Sequence, residues 1–312
     1  NKRVLMMKST DDGRTWSAAK DITKDAMDPA WHWVGTGPGH GVQLKSGRLL
    51  IPCWADARDR LGEVQLSYMV YSDDHGRSWK RGEALDYDTS DECEVVELAD
   101  GSLYMTGRSR QRKKQRAYAF SKDEGHRWSA VRNDPRLPEL SCQGSIIRLS
   151  EAGRFEKNRI VLAAPASTAA RDHLTIRLSY DECRSWPVSK VLHHGSSAYS
   201  DLAVTADRHI LCLYEADSYT KIVLASFNLP WLTDGKDRLP GFDRDLHGLW
   251  QLHGHGMRRG LRGVPGRAAG RHARGPVPRP APGVRRFAVR PAQRRQRGLL
   301  PLAPEAHTKY AS

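Results

Sequence analysis

The 312-residue sequence predicts an all-β protein, and three observations carry that prediction. Short apolar or alternating runs of strand length recur along residues 1–237, and turn residues separate them. No apolar pattern with a helical period continues over three turns. An eight-residue motif returns about every fifty to sixty residues, which in an all-β chain indicates one small sheet per repeat. Together these features predict a series of similar antiparallel sheets.

The predicted strands follow one another along the chain. They include Leu49–Ile51, Val64–Tyr71, Val95–Leu98, Leu103–Thr106, Ile160–Ala164, Ile210–Tyr214 and Ile222–Phe227. Asp100 and Gly101 stand between two of these runs. This pair favours a tight hairpin turn, because glycine accepts a positive backbone angle φ at little cost.

The repeated motif has the form S-x-D-x-G-x-[ST]-W. It occurs at Ser9–Trp16, Ser72–Trp79, Ser121–Trp128 and Ser179–Trp186. A turn needs a side-chain acceptor for its backbone N–H groups and a glycine where a side chain would clash, while the Trp can pack the hairpin against its own sheet. The third copy has Arg127 at the Ser/Thr position and the fourth has Cys183 at the Gly position, so we expect those two turns to differ slightly. The motif predicts structure and does not by itself predict function.

The positive charge of the chain lies mostly in its last part. The formal net charge is +14, and residues 238–312 contain fifteen Arg and one Lys against three acidic residues. We therefore divide the sequence into a folded body, 1–237, and an Arg/Pro/Gly-rich tail, 238–312, that is either disordered or read out of frame, because such a segment buries too little apolar surface to offset its chain entropy. A nucleic-acid-binding arm is the alternative, but the tail does not interleave aromatic residues with its cations.

Five cysteines are widely spaced, contain no C-x-x-C pair and are odd in number: Cys53, Cys93, Cys142, Cys183 and Cys212. This pattern predicts neither a disulfide framework nor a metal site. We also interpret His40 and the pair His193-His194 as loop residues without a metal role.

No apolar run approaches the roughly 20 residues that a membrane span needs. We expect no cofactor, no nucleic-acid partner and a monomer. The compartment stays open, with a secreted or periplasmic location compatible with the sequence.

Several stretches between the repeats resemble sialidases, the exo-α-sialidase or neuraminidase family, in which the repeat is called the Asp box. They are Gly37–Leu44, Asp91–Leu98 followed by Gly107–Ser109, Cys142–Ser145, and Ala198–Leu202 followed by Leu213–Glu215. The resemblance covers nearly all of 1–237. It implies a six-bladed β-propeller that is incomplete here, because the family's first blade precedes the first Asp box of this sequence.

The resemblance also implies a set of site residues. Tyr199 matches the catalytic nucleophile and Glu92 the base that takes its proton, while Arg108 and Arg171 match two of the three arginines that bind the sialic acid carboxylate. Glu215 matches the carboxylate that orients the first arginine. Arginine suits this task because its planar guanidinium binds a carboxylate through two hydrogen bonds. A neutral tyrosine suits the nucleophile because a second carboxylate beside the substrate's own would repel it.

Each of these residues has an alternative interpretation. Tyr199 can be an ordinary strand aromatic, and Glu92 stands among other carboxylates, Asp91, Glu94 and Glu97, that favour the surface. Arg108 precedes a basic stretch that can simply be solvated, and Arg171 has the same alternative. Glu215 can be a solvent-facing residue. Arg171 is preferred over Arg177 because its distance to the following Asp box matches the family.

The predicted function is retaining hydrolysis of terminal α-linked sialic acid from glycoproteins, glycolipids or oligosaccharides. The family's first arginine and its acid/base aspartate belong to the first blade, so we expect little turnover without it. The alternative is a non-catalytic Asp-box propeller that binds glycans or proteins.

Overall fold

A computed structural model describes residues 3–59, 62–242, 248–253 and 256–260 of the chain, which all belong to one compact unit, Asn1–Arg262. They form β-strands almost throughout, with two four-residue helices. A two-stranded sheet joins β1 (Leu5–Met6) and β2 (Lys20–Asp21), and α1 (Thr23–Ala26) follows. A second sheet contains β3 (Trp33–Thr36), β4 (Val42–Gln43), β5 (Leu49–Asp59), β6 (Gly62–Ser72) and β7 (Lys80–Arg81). The all-β prediction is confirmed.

The next sheets repeat this plan. The third contains β8 (Ser90–Glu97), β9 (Leu103–Ser109), β10 (Gln115–Ser121) and β11 (Arg132–Pro138). The last contains β12 (Ser145–Ser150), β13 (Arg159–Pro165), β14 (Asp172–Ser179), β15 (Val188–Val204), β16 (Ile210–Ala216), β17 (Lys221–Phe227), β18 (Gly248–His253) and β19 (Gly256–Gly260), with α2 (Leu229–Leu232) between β17 and β18. Six of the seven predicted strands lie within observed strands, and the seventh, Val95–Leu98, extends one residue past the end of β8. The hairpin at Asp100-Gly101 is also confirmed, with Gly101 at φ 83°.

The sheets are antiparallel meanders whose first strands approach one another, as in a β-propeller. The long strand β15 joins two of these meanders, because it pairs with β14 up to Ser196 and with β16 from Ser197 onward. Side chains from three first strands meet directly: Ser145 on β12 donates a hydrogen bond to Glu94 on β8 and lies 3.4 Å from Asp201 on β15. This meeting point lies beside the candidate site.

The core lies between neighbouring sheets. Val95 and Val96 on β8 point to opposite faces, as successive strand residues do. Val95 packs with Leu103 towards the second sheet, whereas Val96 packs with Tyr104 towards β12 and β13. All four side chains are buried. The third sheet is therefore covered on both faces, which fixes its position relative to both neighbours.

The four Asp boxes form nearly identical turns between paired strands. In each copy the Ser hydroxyl donates to the Asp carboxylate and accepts the N–H of the residue four positions later, at 2.8 or 2.9 Å. Cys183 keeps these bonds in the Gly position, at φ 65°. Arg127 cannot supply the Ser/Thr hydroxyl bond to Asp, but its backbone N–H still donates to Asp123. The third turn therefore lacks one hydrogen bond to its Asp, and the fourth has a strained residue, Cys183, in the Gly position.

The sheet continues past residue 237, the predicted end of the body. Leu239 packs into the core of the last sheet, and Asp237 forms an ion pair with the fully buried Arg159, with Oδ1 2.7 Å from Nη2. Strands β18 and β19 extend that sheet from β17. The predicted boundary between body and tail followed the change in composition at residue 238, whereas these strands lie beyond it. Most of the predicted tail, 238–312, lies outside the described residues, and its disordered or out-of-frame character stays a prediction.

Candidate active site

The candidate site is built on the paired residues Tyr199 and Glu92, which lie 107 positions apart in sequence. The Tyr199 hydroxyl donates a hydrogen bond to Glu92 Oε1. Glu92 is 7% exposed, and Tyr199 is half-buried. The alternatives of a plain strand aromatic and a surface carboxylate do not describe these positions, because each polar group has the other as its partner inside the molecule.

Both residues occupy β-bulges in first strands. On β8 the ladder with β9 shifts between Ser90 and Cys93, so that Asp91 and Glu92 stand opposite the single residue Arg108. On β15 the ladder with β16 shifts between Ser197 and Ser200, so that Ala198 and Tyr199 stand opposite Glu215. A bulge of two residues against one turns a side chain away from its regular direction. The two irregularities therefore aim Glu92 and Tyr199 at each other.

Arg108 completes a compact charged group around this pair. Its Nη1 lies 3.2 Å from Glu92 Oε2 and 3.5 Å from the Tyr199 hydroxyl, while its Nε donates to the Ser141 hydroxyl at 2.9 Å. Asp91 Oδ2 is 3.4 Å from the same Nε. The Arg108 side chain is 21% exposed. It is therefore paired inside the molecule, in contrast to the exposed residues Arg112 and Lys113 of the basic stretch that follows.

Arg171 lies beside the ring of Tyr199. Its guanidinium carbon is 5.6 Å from the centre of the Tyr199 ring. Its Nη2 donates to the Ser141 carbonyl at 2.7 Å, and its Nη1 contacts the Tyr219 hydroxyl at 3.2 Å. The alternative residue, Arg177, is buried on β14, and burial lowers its pKa to about 10. The structure therefore places Arg171, not Arg177, beside Tyr199.

Glu215 contacts the backbone of the candidate nucleophile. Its Oε2 accepts the N–H of Tyr199 at 3.1 Å, inside the β15 bulge. The structure thus brings all five predicted site residues together: Tyr199, Glu92, Arg108, Arg171 and Glu215. Their catalytic and binding roles remain predictions.

Sequence reasoning missed two residues of this group. Ser141 has a left-handed backbone, with φ 46°, and accepts hydrogen bonds from both arginines. Tyr219 is 60% exposed and reaches Arg171 from the β16–β17 turn. No local motif marks either one. The sequence indicates Ser141 only through its position directly before the Cys142–Ser145 stretch.

The pKa values within the site follow from burial. Burial, together with the hydrogen bond to Glu92, raises the pKa of the Tyr199 phenol well above its usual range. Burial also raises the pKa of Asp91 to about 7, and the neighbouring Arg108 opposes that shift. An unassisted Tyr199 therefore stays protonated at neutral pH. Glu92 is the carboxylate in contact with this phenol.

A second polar cluster lies next to the pair. His40 Nδ1 is 2.7 Å from Asp201 Oδ1 and 3.8 Å from Glu94 Oε2, and burial raises the pKa of Glu94 to about 7. One ligand atom from each of these three residues lies within 4.8 Å of the others, a spacing that could hold a metal ion. His40 is therefore not an isolated loop residue. Its Nδ1 is hydrogen bonded to Asp201 Oδ1.

The repeated turns, the antiparallel sheets and this site define a class of protein. The family of the BNR repeat-like domain matches residues 1–212, and the chain belongs to that family. A sialidase of Micromonospora viridifaciens is 39% identical over 232 residues, which are 72% of this chain and 35% of that protein. Mouse sialidase-3 is 29% identical over 280 residues, covering 72% of this chain and 66% of the relative.

Solved structures give the same result. The Hadza microbial sialidase Hz136 superposes with a TM-score of 0.67 at 29% identity, over 74% of this chain and 44% of that one. The chain is a member of the sialidase family, and its fold is a β-propeller. It spans 35% of the Micromonospora relative and 39% of a Bacteroides fragilis sialidase. Within the described residues, no helix has the length and apolar character needed to cross a membrane.

Proposed function

We propose that this chain contributes the nucleophile and part of the carboxylate-binding site of a retaining exo-α-sialidase. The contact between the Tyr199 hydroxyl and Glu92, with Arg108 Nη1 beside both, is the observation that carries the proposal. In the first step Tyr199 attacks the anomeric carbon while its proton passes to Glu92, and the bond to the leaving group breaks. In the second step water displaces the tyrosine, so two displacements retain the configuration.

The surroundings of the pair fit an anionic substrate. Sialic acid carries a carboxylate on the carbon that reacts. Two guanidinium groups lie next to Tyr199, that of Arg108 near its hydroxyl and that of Arg171 near its ring. Both guanidinium groups are partly exposed, so their remaining N–H groups can reach a bound carboxylate. A neutral phenol placed there avoids the repulsion that an aspartate or glutamate nucleophile would meet.

The full reaction requires groups beyond those described. A leaving group needs a proton donor, which contributes on the order of a hundredfold or more to the rate. The resemblance assigns this task to an aspartate, and a third carboxylate contact to an arginine, both in the first of six blades. We propose that these residues belong to sequence upstream of the first Asp box, and that the chain as given turns over slowly or not at all.

Hydrolysis of a fluorogenic sialic acid glycoside tests the proposal. The chain as given is compared with a form extended upstream through one further blade, each also carrying Tyr199→Phe. We expect turnover in the extended form and its loss in the variant. Tyr87→Phe, which changes an exposed tyrosine outside the site, is the control and should retain activity.

An extended, folded form without activity would contradict the enzyme proposal. It would favour a propeller that only binds glycans or proteins. Activity of the unextended chain equal to that of the extended form would contradict the assignment of the acid and the further arginine to upstream sequence.

A further inference from the structure

The segment Cys142–Ser145 resembles the family but has no part in the proposed chemistry. Its Gln143 and Ser145 side chains are fully buried. Only Gly144 separates them, and Ser145 is the first residue of β12. Both contact β8 and β15, the strands that carry Glu92 and Tyr199.

Gln143 forms three hydrogen bonds with these strands. Its Oε1 accepts the N–H of Ser200 at 3.0 Å, and its Nε2 donates to the Ser200 carbonyl at 3.0 Å. The same Nε2 is 3.3 Å from Glu94 Oε1. A primary amide matches a backbone peptide group in this way because it has both a donor and an acceptor.

Ser145 also forms hydrogen bonds with both β8 and β15. Its hydroxyl donates to Glu94 Oε2 at 2.9 Å and accepts the N–H of Leu202 at 3.0 Å. Gly144, between the two, has no room for a side chain. A Cβ there would lie 2.8 Å from the Ala163 carbonyl oxygen and 2.9 Å from Arg116 Nη1. The glycine therefore permits the close approach that both side chains need.

These bonds act where the strand ladders are interrupted. Ser200 directly follows Tyr199 and is the first residue after the β15 bulge, while Glu94 lies two residues after Glu92, just past the β8 bulge. In a regular sheet the ladder itself fixes the spacing of neighbouring residues. At a bulge the extra residue has no ladder partner, so the position of its side chain depends on other contacts.

We propose that Gln143 is a positioning residue that fixes Tyr199 relative to Glu92 by hydrogen bonding to both of their strands, with Ser145 as its second contact. The effect of Gln143 on catalysis rests on the proposed function. Its effect on the position of Tyr199 relative to Glu92 does not. Gln143 touches no substrate. It acts through the register of β8 and β15.

The first test is Gln143→Met, which has a similar length but no amide. It is made in the form of the protein that hydrolyses the fluorogenic sialoside. We expect kcat to fall about tenfold to a hundredfold, because a displacement near 1 Å can cost that much. KM should stay within about twofold of the parent, since both arginines bind Ser141 and not Gln143. Gln65→Met removes a hydrogen bond to Asp56 in another sheet and should leave kcat unchanged.

A second readout is independent of activity. The ionisation of Tyr199 is followed by NMR of ¹³Cζ-labelled tyrosine and assigned with Tyr199→Phe. In the parent chain Tyr199 should stay protonated well beyond the ordinary pKa of about 10. In Gln143→Met the pKa should fall towards that value, because the contact with Glu92 is lost. This measurement still decides the inference if the parent protein has no sialidase activity.

Three results would overturn the inference: an unchanged kcat, a loss that appears only in KM, or an unchanged ionisation of Tyr199. If Gln143→Met does not fold, Ser145→Ala replaces it. That smaller change should shift both kcat and the Tyr199 pKa in the same directions by a smaller amount. No shift in either would equally overturn the positioning role.

Discussion

Carboxyl groups occur at two ends of the sheets: the Asp-box end, where the four turns lie, and the site end, where Glu92 and Tyr199 lie. Their pKa values are shifted in opposite directions at these two ends. At the Asp-box end, hydrogen bonds from Thr15 and Ser9 lower the pKa of Asp11 to about 2, in a turn near solvent. At the site end, burial raises the pKa values of Asp91 and Glu94 to about 7. The first arrangement gives a local turn that favours the charged form. The second keeps partly desolvated acids in contact with Arg108 and His40, as is common in functional sites.

The largest expected effect is on the pH dependence of stability. A carboxyl group with a raised folded-state pKa keeps its proton on folding, so its stabilising contribution is lost as the pH rises through about 7. The free energy of unfolding should fall between about pH 5 and pH 7 by up to about 1.4 kcal/mol per pH unit for each of Asp91 and Glu94. The Asp boxes act in the reverse sense, since their lowered pKa values make stability fall below about pH 4.

Denaturant unfolding from pH 3 to pH 8 measures this profile, with an expected maximum near pH 4 to 5. Asp91→Asn should make the free energy of unfolding depend less on pH above pH 5. Asp74→Asn, in an Asp box, should change the pH dependence only below about pH 4. Stability that rises steadily from pH 5 to pH 8 would contradict the contrast between the two ends.

The next largest effect concerns two Arg–Glu pairs. Arg116 and Glu139 are each 1% exposed, with Nη1 3.2 Å from Oε2 near the site end. Arg116→Met leaves a buried carboxylate without its partner and should cost about 3–5 kcal/mol of unfolding free energy. Arg127 and Glu83 form an exposed pair at 3.1 Å beside an Asp box, and Arg127→Met should cost less than about 1 kcal/mol.

Chemical denaturation of the two single variants gives this comparison. The double variant with Glu139→Leu should recover much of the loss caused by Arg116→Met, because no charge then remains buried. Equal losses of unfolding free energy in Arg116→Met and Arg127→Met would contradict the prediction that the buried pair matters more than the exposed pair.

Glycines at the two ends should respond differently to alanine. Gly144→Ala places a Cβ 2.8 Å from both the Ala163 carbonyl oxygen and the Ala164 Cβ, and overpacking of this kind costs about 2–3 kcal/mol. Gly76→Ala finds its nearest atom at 3.6 Å, and only its φ of 82° is unfavourable, at about 1 kcal/mol. Thermal unfolding of the two variants tests the order. A larger loss at Gly76 would contradict it.

The smallest predicted effect is at the β15 bulge. Glu215→Ala removes the acceptor of the Tyr199 N–H, so amide hydrogen exchange at Tyr199 should become faster and kcat of the active form should fall about tenfold. Glu215→Gln retains an acceptor oxygen and should have a weaker effect on exchange. Unchanged exchange at Tyr199 in Glu215→Ala would show that this contact does not order the bulge.

Local interactions explain why some features were predictable from sequence. Each Asp-box turn is made by side chains and N–H groups within eight residues, so its spacing appears directly in the sequence. The strands at Val95–Leu98 and Leu103–Thr106 were predictable for the same reason, since an apolar run and a two-residue turn are local. No comparable local pattern marks Ser141 or Tyr219, because each contacts arginines 30 or more positions away.

The sequence by itself determined the strands and the Asp-box turns. Through its resemblance to sialidases it also predicted five candidate site residues that the structure brings together: Tyr199, Glu92, Arg108, Arg171 and Glu215. Only the tertiary structure decided that Glu92 and Tyr199 occupy two bulges and face each other across 107 positions. Periodicity cannot reveal a bulge, because a single extra residue changes which side chains point inwards. It also cannot reveal the burial that raises the pKa of Asp91, since that depends on which distant side chains enclose it.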